Sequence, residues 1–417
     1  MQHRIGHAGE TLQTAAIIEI REQRCRAEAP EFGAGFSASR DGKDTKALRE
    51  PWNCAPGHIT AADDQYIFHQ PIISRPMSFQ ISLTPGGQRF DANEDQTILE
   101  AALAAGIVIP YGCRDGACGA CKGKVVSGDV ALGAVSGSAL SEADRSAGMT
   151  LFCKAHARSD LVIEARNVTT AGDIPVKKLP CRVQRLTRAA PDVMILEAKL
   201  PASETFRFRA GQYIDFLLAD GRRRSFSIAN PPEDAETMEL HIRLVPGGGF
   251  TEQVFTTMKE RDILRFEGPI GSFGLREDST RPIVMIAGGT GFAPIKSIVE
   301  HAIHARVTRP ITLYWGSRNR AGLYMDELAR SWESALPGFR YVPVLSDATT
   351  EDDWRGRRGL VHHAVMQDFP DLSSHEVYAC GAPAMIDAAR QDLTAKCALA
   401  EDAFFADAFT FASDTAR

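Results

Sequence analysis

The spacing of hydrophobic and polar residues divides the chain into one unpatterned and three patterned parts. The first patterned part, residues 77–170, begins with alternating apolar residues from Phe79 to Leu83 and a Pro-Gly-Gly turn, which predict a hairpin. Apolar positions at helical spacing predict a helix over Thr97–Ala105. Further strands are predicted at Gly123–Val126 and Leu161–Ala165. This part is therefore predicted to be a small α+β domain, followed by a Gly- and Pro-containing linker.

Residues 178–276 contain short, well-spaced apolar runs and one predicted helix near Thr251–Met258. The predicted strands are Val193–Ala198, Tyr213–Leu218, Arg224–Ile228, Leu240–Val245 and Ile263–Phe266. Short strands at this spacing predict an antiparallel β-barrel.

Strands and helices alternate in residues 277–417. The predicted strands are Ile283–Ala287, Ile311–Trp315, Tyr341–Leu345 and Val377–Cys380. The predicted helices are Pro294–His304, Leu323–Trp332 and Ala384–Leu393. This alternation predicts an α/β domain with a parallel sheet covered by helices on both faces, so the chain as a whole is predicted to be multidomain.

Residues 1–76 show no sustained periodicity, and their composition does not favour a packed core. We interpret them as a disordered leader or as the result of a start codon placed too early, with Met77 as the working start. A partner-docking or regulatory arm is the alternative.

Composition narrows the functional classes. The chain has 417 residues, of which 44% are hydrophobic and 24% charged, and its net charge is −6. These values exclude wholesale disorder, collagen and coiled coil, and they make nucleic acid a poor default partner. Apolar runs fall well short of the roughly 20 residues of a membrane span, and no signal peptide is evident. We therefore expect a cytoplasmic protein with neither a nucleic-acid nor a membrane partner.

Four of the nine cysteines lie within one short segment: Cys113, Cys118, Cys121 and Cys153. The spacing Cys-x4-Cys-x2-Cys with a distant fourth cysteine is that of a plant-type [2Fe–2S] site. The small residues between the cysteines allow backbone N–H groups to point at sulfur. A zinc site and unrelated buried thiols are the alternatives, although zinc usually takes paired Cys-x2-Cys units.

Three further motifs contain residues suited to nucleotides. Arg224-Ser225-Phe226-Ser227 places a guanidinium and an aromatic ring on a predicted barrel strand, although a surface strand with solvated arginines is the alternative. Pro246-Gly247-Gly248-Gly249-Phe250-Thr251 opens a predicted helix, whose N-terminus favours phosphate. Ala287-Gly288-Gly289-Thr290-Gly291 joins an apolar strand to a helix, which is the context of a dinucleotide loop.

The segment from Tyr111 to Cys121 resembles the cluster loop of plant-type ferredoxins. The order ferredoxin, barrel and nucleotide domain resembles ferredoxin–NAD(P)H reductase-type electron-transfer components, such as phenol hydroxylase reductase, benzoate dioxygenase reductase and CDP-6-deoxy-3,4-glucoseen reductase. The resemblance covers about residues 77–410. It implies a β-grasp-like [2Fe–2S] domain over residues 77–170, an FAD-binding barrel over 178–276 and an NAD(P)H-binding domain over 277–417.

The resemblance also implies roles for individual residues. The metal ligands are the four clustered cysteines. Ser227, near the flavin N5, and Cys380, near the nicotinamide, are the implied catalytic residues. The implied cofactor-binding residues are Arg224, Ser225, Phe226, Ser227, Gly249, Phe250, Thr251, Gly289, Thr290, Gly291, Cys380, Gly381, Phe405 and Phe409. Phe226 replaces the family's tyrosine, which removes one hydroxyl.

We therefore expect a reductase that passes electrons from NAD(P)H through FAD and the cluster to a separate oxygenase or sugar-dehydrase component. The reductases that this chain resembles mostly use NADH, so NADH is favoured as the electron donor. Arg318 follows the second strand of the nucleotide domain and would suit a 2′-phosphate, which leaves NADPH as the alternative donor. A direct flavin or small-molecule reductase and a non-catalytic redox sensor are the alternative functions.

Deleting residues 1–76 should leave reductase activity intact, because this segment lies outside all the cofactor motifs. The measurement is NADH-dependent reduction of ferricyanide by the truncated and full-length proteins. A truncated protein that cannot bind its cofactors would contradict the interpretation of this segment as a leader.

Overall fold

The structure is a computed structural model that describes residues 78–137, 139–170 and 174–409. Residues 1–76, interpreted above as a leader, lie outside the described residues. In the part of the chain that the structure describes, no helix combines the length and apolarity needed to cross a membrane.

The first domain surrounds a sheet with strand order β2-β1-β8-β4-β6, in which only the β1–β8 pair is parallel. Its strands are β1 (Ser78–Thr84), β2 (Arg89–Asn93), β3 (Ile107–Val108), β4 (Lys122–Ser127), β5 (Val130–Leu132), β6 (Met149–Leu151), β7 (Ala155–Ala157), β8 (Leu161–Glu164) and β9 (Thr169–Thr170). Its helices are α1 (Ile98–Ala104) and α2 (Glu142–Ser146). Thr97 and Glu100 form a capping box that starts α1, which buries Ile98 and Leu99 against the sheet.

The second domain is an antiparallel barrel with strand order β13-β12-β15-β10-β11-β14. Its strands are β10 (Lys177–Ala190), β11 (Val193–Lys199), β12 (Tyr213–Leu217), β13 (Arg223–Ser227), β14 (Thr237–Arg243) and β15 (Ile263–Ile270). Helix α3 (Gly249–Thr256) lies between β14 and β15. A bridge between Ile228 and Leu240 joins the two outer strands and closes the barrel.

The third domain is an all-parallel sheet with strand order β19-β18-β17-β16-β20-β21. Its strands are β16 (Ile283–Gly288), β17 (Ile311–Ser317), β18 (Phe339–Leu345), β19 (Arg357–Arg358), β20 (Glu376–Gly381) and β21 (Phe404–Ala408). Its helices are α4 (Phe292–His304), α5 (Asp326–Ala335), α6 (Val361–Asp368) and α7 (Pro383–Lys396). Separate apolar clusters cover the two faces of the sheet, as expected for βα alternation.

The three predicted fold classes and their order are confirmed, but several elements escaped prediction, among them β10, β21 and α6. Strand β10 spans 14 residues and pairs with both β11 and β15, yet Pro180 within it argued against a strand. No strand was predicted around Phe405, which was interpreted as a cofactor-binding residue, although β21 pairs in parallel with β20. Helix α6 has only a short apolar pattern, and its packing against the sheet holds it in place.

A buried polar network joins the barrel to the nucleotide domain. Lys296 on α4 lies 2.8 Å from Glu300 and 3.3 Å from Glu239 on β14, and its side chain is only 7% exposed. His241, also on β14, contacts Glu239 at 2.7 Å and the Tyr324 hydroxyl at 2.9 Å. Because buried charges are costly unless paired, this network fixes the two domains in one arrangement.

Burial alone would raise the pKa of Glu239, but hydrogen bonding to His241 and the charge of Lys296 lower it to about 2. The unfolded value is 4.5, so the ionised carboxylate contributes about 3 kcal/mol of stability above that pH. This contribution is lost as the pH falls from 4.5 through 2.

We therefore predict that Glu239→Gln destabilises the protein at pH 7, and that its difference from wild type shrinks on acidification. The measurement is the free energy of unfolding, from urea titrations of both proteins at pH 7 and pH 3.5. A gap that stays constant or widens at the lower pH would show that the Glu239 carboxylate is not stabilised in this way.

Candidate functional site

The four clustered cysteines lie on two neighbouring segments of the first domain. Cys113, Cys118 and Cys121 occupy the loop between β3 and β4, and Cys153 follows β6. Cys121 and Cys153 are buried, whereas Cys113 and Cys118 are partly exposed. All seven cysteines in the described part of the chain are free thiols.

Backbone geometry in this loop directs N–H groups at sulfur. Cys113 Sγ accepts from the N–H groups of Asp115 and Ala117, each at 3.4 Å. Cys118 Sγ accepts from the N–H groups of Cys113 at 3.4 Å and Ala120 at 3.5 Å. Gly116 and Gly119 have φ values of +74° and +73°, which require glycine-like freedom to bend the loop around the sulfurs.

The thiols interact strongly with one another. Hydrogen bonding from Cys118, assisted by backbone N–H groups, lowers the pKa of Cys113 to about 5 although burial opposes it. Hydrogen bonding with Cys153 and burial raise the pKa of Cys121. Converging sulfurs with N–H donors directed at them form a donor set that fits a thiolate-bound [2Fe–2S] cluster.

The predicted flavin residues occupy one end of the barrel. Along β13, Ser225 and Ser227 alternate with Arg224 and Phe226, so the two pairs lie on opposite faces of the strand. The Ser225 hydroxyl donates to the buried Asp215 at 2.6 Å. Burial lowers the pKa of Arg224.

The Phe226 ring is partly buried and packs against the apolar core of the barrel. Its ring contacts the rings of Phe216 and Phe250, with centroid separations of 5.8 Å and 5.6 Å. The contact with Phe250 joins the arginine motif to the glycine-rich turn before α3. Because the Phe250 ring packs in the barrel core, only its backbone is available to a phosphate.

The glycine-rich turn is closed by its own side chains. The Thr251 hydroxyl accepts from the Val245 N–H at 3.1 Å and contacts the Gly248 carbonyl at 3.1 Å. This arrangement leaves Gly249 at the first position of α3, where its N–H belongs to the helix N-terminus.

The dinucleotide loop lies directly against the end of β20. Gly289, Thr290 and Gly291 form a 3-10 turn between β16 and α4. A Cβ at Gly291 would lie 2.1 Å from the Cys380 carbonyl oxygen, so no other residue fits there without displacing β20. The structure therefore brings the predicted glycines together with Cys380 and Gly381.

The cysteine loop docks on the barrel beside the predicted flavin residues. The Tyr213 hydroxyl donates to the Gly112 carbonyl at 2.5 Å. Tyr213 on β12 pairs directly with Ser227 on β13. In addition, the Tyr111 N–H donates to the Ser272 hydroxyl at 2.9 Å, so two contacts hold this segment on the barrel.

Asp407 of the nucleotide domain also lies beside Gly112 of the cysteine loop. A Cβ at Gly112 would lie 3.3 Å from Asp407 Oδ1, and Asp407 pairs with Cys380 across β20 and β21. Burial and the nearby Cys113 raise the pKa of Asp407 to about 7. Burial, with a further contribution from Asp407, also raises the pKa of Cys380. Tyr213, the strand partner of Ser227, and Asp407, the strand partner of Cys380, thus both lie against the cysteine loop at Gly112.

Sequence reasoning missed Tyr213, Asp407 and Arg243 as members of this site. The Arg243 guanidinium lies about 3 Å from where a Cβ of Gly289 would be. Its buried Nε makes no hydrogen bond, although Asp192 lies 3.4 Å away. Asp407 lies between Phe405 and Phe409, two of the implied cofactor-binding residues, whereas no local signal marks the other two.

The two C-terminal aromatic candidates differ in their surroundings. Phe405 stacks on Tyr378 at 4.9 Å and lies under the Arg276 guanidinium. Phe409 follows β21, and its N–H donates to the Gly381 carbonyl at 2.8 Å. Phe409 is therefore the candidate directly tied to the Cys380-Gly381 segment.

Three family models match this chain in the predicted order. A 2Fe-2S iron-sulfur cluster binding domain matches residues 81–158, an oxidoreductase FAD-binding domain matches 180–274, and an oxidoreductase NAD-binding domain matches 285–391. The first match favours the iron–sulfur cluster over the zinc alternative for the four cysteines.

The chain is also similar over most of its length to characterised proteins. It is 42% identical over 333 residues to the CDP-6-deoxy-L-threo-D-glycero-4-hexulose-3-dehydrase reductase of Yersinia pseudotuberculosis, covering 80% of this chain and 99% of that protein. It is 38% identical over 319 residues to the reductase component of phenol 2-monooxygenase from a Pseudomonas species, covering 75% and 89%. The crystal structure of an Amycolatopsis cytochrome P450 reductase aligns with a TM-score of 0.66 and 34% identity, covering 80% of this chain and all of that one.

Replacing a predicted cluster ligand should abolish the cluster without unfolding the other domains. We expect Cys121→Ala to lose the visible absorbance and reduced-state EPR signal of the cluster while retaining flavin, because a buried thiolate ligand is removed. Cys181→Ala is the matched control, since Cys181 is buried in the barrel core and burial raises its thiol pKa to about 12. An intact cluster in Cys121→Ala, or equal loss in both variants, would contradict the assignment.

Proposed function

Because this chain belongs to the family of reductases that combine a 2Fe-2S domain with FAD-binding and NAD-binding domains, we propose that it carries electrons from NADH to a separate acceptor protein. The chain is an NAD(P)H-dependent oxidoreductase of the electron-transfer type. When bound, FAD exchanges hydride with the nicotinamide, and the cluster supplies one-electron chemistry.

One observation carries the proposed path: the contact between Tyr213 and Gly112. Tyr213 pairs with Ser227, the residue proposed to lie at the flavin N5, and Gly112 precedes the proposed cluster ligand Cys113. Flavin and cluster are therefore proposed to lie on either side of one buried hydrogen bond.

The residues proposed to hold the flavin lie on β13 and at the start of α3. Arg224 supplies a cation for the diphosphate, and the N–H groups of Gly249 and Phe250 at the start of α3 add neutral donors. Phe226 contributes through its packing with Phe250, which holds the arginine strand and the helix N-terminus together. Ser227 presents its hydroxyl on the face that also carries Tyr213.

On the nucleotide side, Gly289, Thr290 and Gly291 are proposed to bind the NADH pyrophosphate, because this turn joins β16 to the N-terminus of α4, which favours an anion. Cys380 and Gly381 leave space for the nicotinamide ring beside Asp407. Arg243 joins this proposed set because its guanidinium overlies Gly289. Phe409 is proposed to cover the flavin until the nicotinamide arrives.

The acceptor is proposed to approach the partly exposed Cys113 and Cys118, since Cys121 and Cys153 face the interior. The relatives named above are reductases of a sugar dehydrase and of a monooxygenase, and we propose that the acceptor is an oxygenase or a sugar-dehydrase component. The free cysteines support the cytoplasmic location predicted from the sequence, which is part of this proposal.

An anaerobic titration of the cofactor-loaded protein with NADH, and separately with NADPH, tests the path and the donor. We expect NADH to bleach the flavin first and the cluster afterwards, with kcat/KM higher for NADH. A cluster that stays oxidised while the flavin bleaches would favour the direct flavin reductase. A kcat/KM at least tenfold better for NADPH would overturn the donor assignment.

Tyr213→Phe should slow reduction of the cluster several-fold while leaving flavin reduction by NADH within about twofold. The substitution leaves the buried Gly112 carbonyl unpaired, at a cost of about 1–3 kcal/mol to the docked loop. Stopped-flow absorbance resolves the two phases.

Tyr314→Phe is the matched control for Tyr213→Phe. The Tyr314 hydroxyl donates to Asp368 at 2.7 Å within the nucleotide domain, away from the cysteine loop. Unchanged cluster reduction in Tyr213→Phe, or equal slowing in the control, would contradict a role for the Tyr213 contact.

A further inference from the structure

A separate group of metal-ligating side chains lies on the nucleotide domain. His362 and His363 occupy the first turn of α6, and Asp392 lies in the last turns of α7. One donor atom from each lies within 4.8 Å of the other two. These residues belong to neither the cysteine loop nor the proposed flavin and nicotinamide residues.

Two of the three donor spacings are close to the edges of a tetrahedral metal site. His362 Nε2 lies 3.4 Å from Asp392 Oδ2, and His363 Nε2 lies 3.7 Å from the same oxygen. A tetrahedral zinc ion with bonds of about 2.0–2.1 Å separates its ligands by about 3.3–3.4 Å. The remaining pair of donors lies within 4.8 Å, so the two histidines would move closer together around a shared ion.

We propose that His362, His363 and Asp392 bind a divalent transition-metal ion of the zinc class, with water completing the coordination. Two imidazoles and one carboxylate form a nitrogen-rich donor set that suits zinc better than magnesium or calcium, which prefer oxygen ligands. The proposal is independent of the electron path proposed above.

The surroundings of the triad favour an ion. His362 is buried, and of its two ring nitrogens only Nε2 faces a polar atom, because Nδ1 has no hydrogen-bond partner and Nε2 lies 3.4 Å from Asp392 Oδ2. The ring is thereby oriented with Nε2 towards the position proposed for the ion. The His363 side chain is 53% exposed, which leaves a path for the ion to enter from solvent.

Lys396 is the cation that already faces this site. Its Nζ lies 2.8 Å from Asp392 Oδ1, while the histidines face Oδ2. The two carboxylate oxygens of Asp392 can therefore have different partners. Oδ2 would bind the metal ion, and Oδ1 accepts from the Lys396 ammonium group. An outer partner of this kind orients a ligating carboxylate.

Binding would join two helices that are distant in sequence. Helix α6 packs beneath β16, β17 and β18, whereas α7 starts directly after the Cys380-Gly381 segment. An ion that binds only the folded protein also raises its stability by mass action. The site thus links the C-terminal part of α7, the helix that follows the Cys380-Gly381 segment, to α6.

Equilibrium dialysis of the flavin- and cluster-loaded protein against Zn²⁺, with metal analysis, tests the proposal. We expect wild type to bind one more zinc ion per chain than His363→Gln, and Asp392→Asn to bind at least tenfold more weakly at that site. Unchanged flavin and cluster absorbance verifies folding of both variants. Mg²⁺ in place of Zn²⁺ should show no difference between the proteins.

His304→Gln provides the matched control, because His304 is an exposed histidine on α4 outside the triad. The His304→Gln variant should bind as much zinc per chain as wild type. Comparison with it shows whether loss of any exposed histidine lowers zinc binding. Equal zinc binding by wild type and His363→Gln would overturn the proposal, as would equal loss in His304→Gln. An X-ray anomalous signal at the zinc edge between α6 and α7 would confirm the location directly.

Discussion

The buried hydrogen bond from the Tyr213 hydroxyl to the Gly112 carbonyl is the contact on which the arrangement of the site depends. A buried hydroxyl and a buried carbonyl are both costly when unpaired, so each restricts where the other can lie. Tyr111 and Ser272 add a second tie between the same segments. Together these contacts set the position of the cysteine loop relative to the barrel strand that carries Ser227.

A second constraint holds the nucleotide domain against the barrel. Lys296 is nearly inaccessible to solvent, and its charge is shared between Glu239 and Glu300. The Ser297 hydroxyl next to it donates to the Asn230 carbonyl at 2.7 Å. Sliding or opening this interface would expose paired charges without their partners, which makes one relative orientation strongly preferred. The nucleotide domain therefore contacts the barrel and the cysteine loop in a defined geometry. This geometry fixes the positions of the dinucleotide loop, Cys380 and Asp407.

Much of this molecule was predictable because its chemistry is encoded locally. The cysteine spacing, the glycines after β16 and the change from period two to strand–helix alternation are all short-range signals. Strand β10 was missed for an equally local reason, because Pro180 masked a pattern in which Leu179, Cys181 and Val183 are buried. Strand β21 could be recognised only once β20 was in place to pair with it.

The sequence by itself determined the three fold classes and their order, and it predicted the cysteine ligand set and the nucleotide loops, since these signals lie in the spacing along a strand or turn. Only the tertiary structure decided that Tyr213, Asp407 and Arg243 belong to the site, because residues 101 positions apart, such as Gly112 and Tyr213, meet only through domain packing. It likewise placed the Phe226 ring beside Phe250 in the barrel core and joined His362 to Asp392 across two helices. The physical reason is that a local pattern specifies the conformation of a segment, whereas burial and pairing between segments specify which side chains share a site.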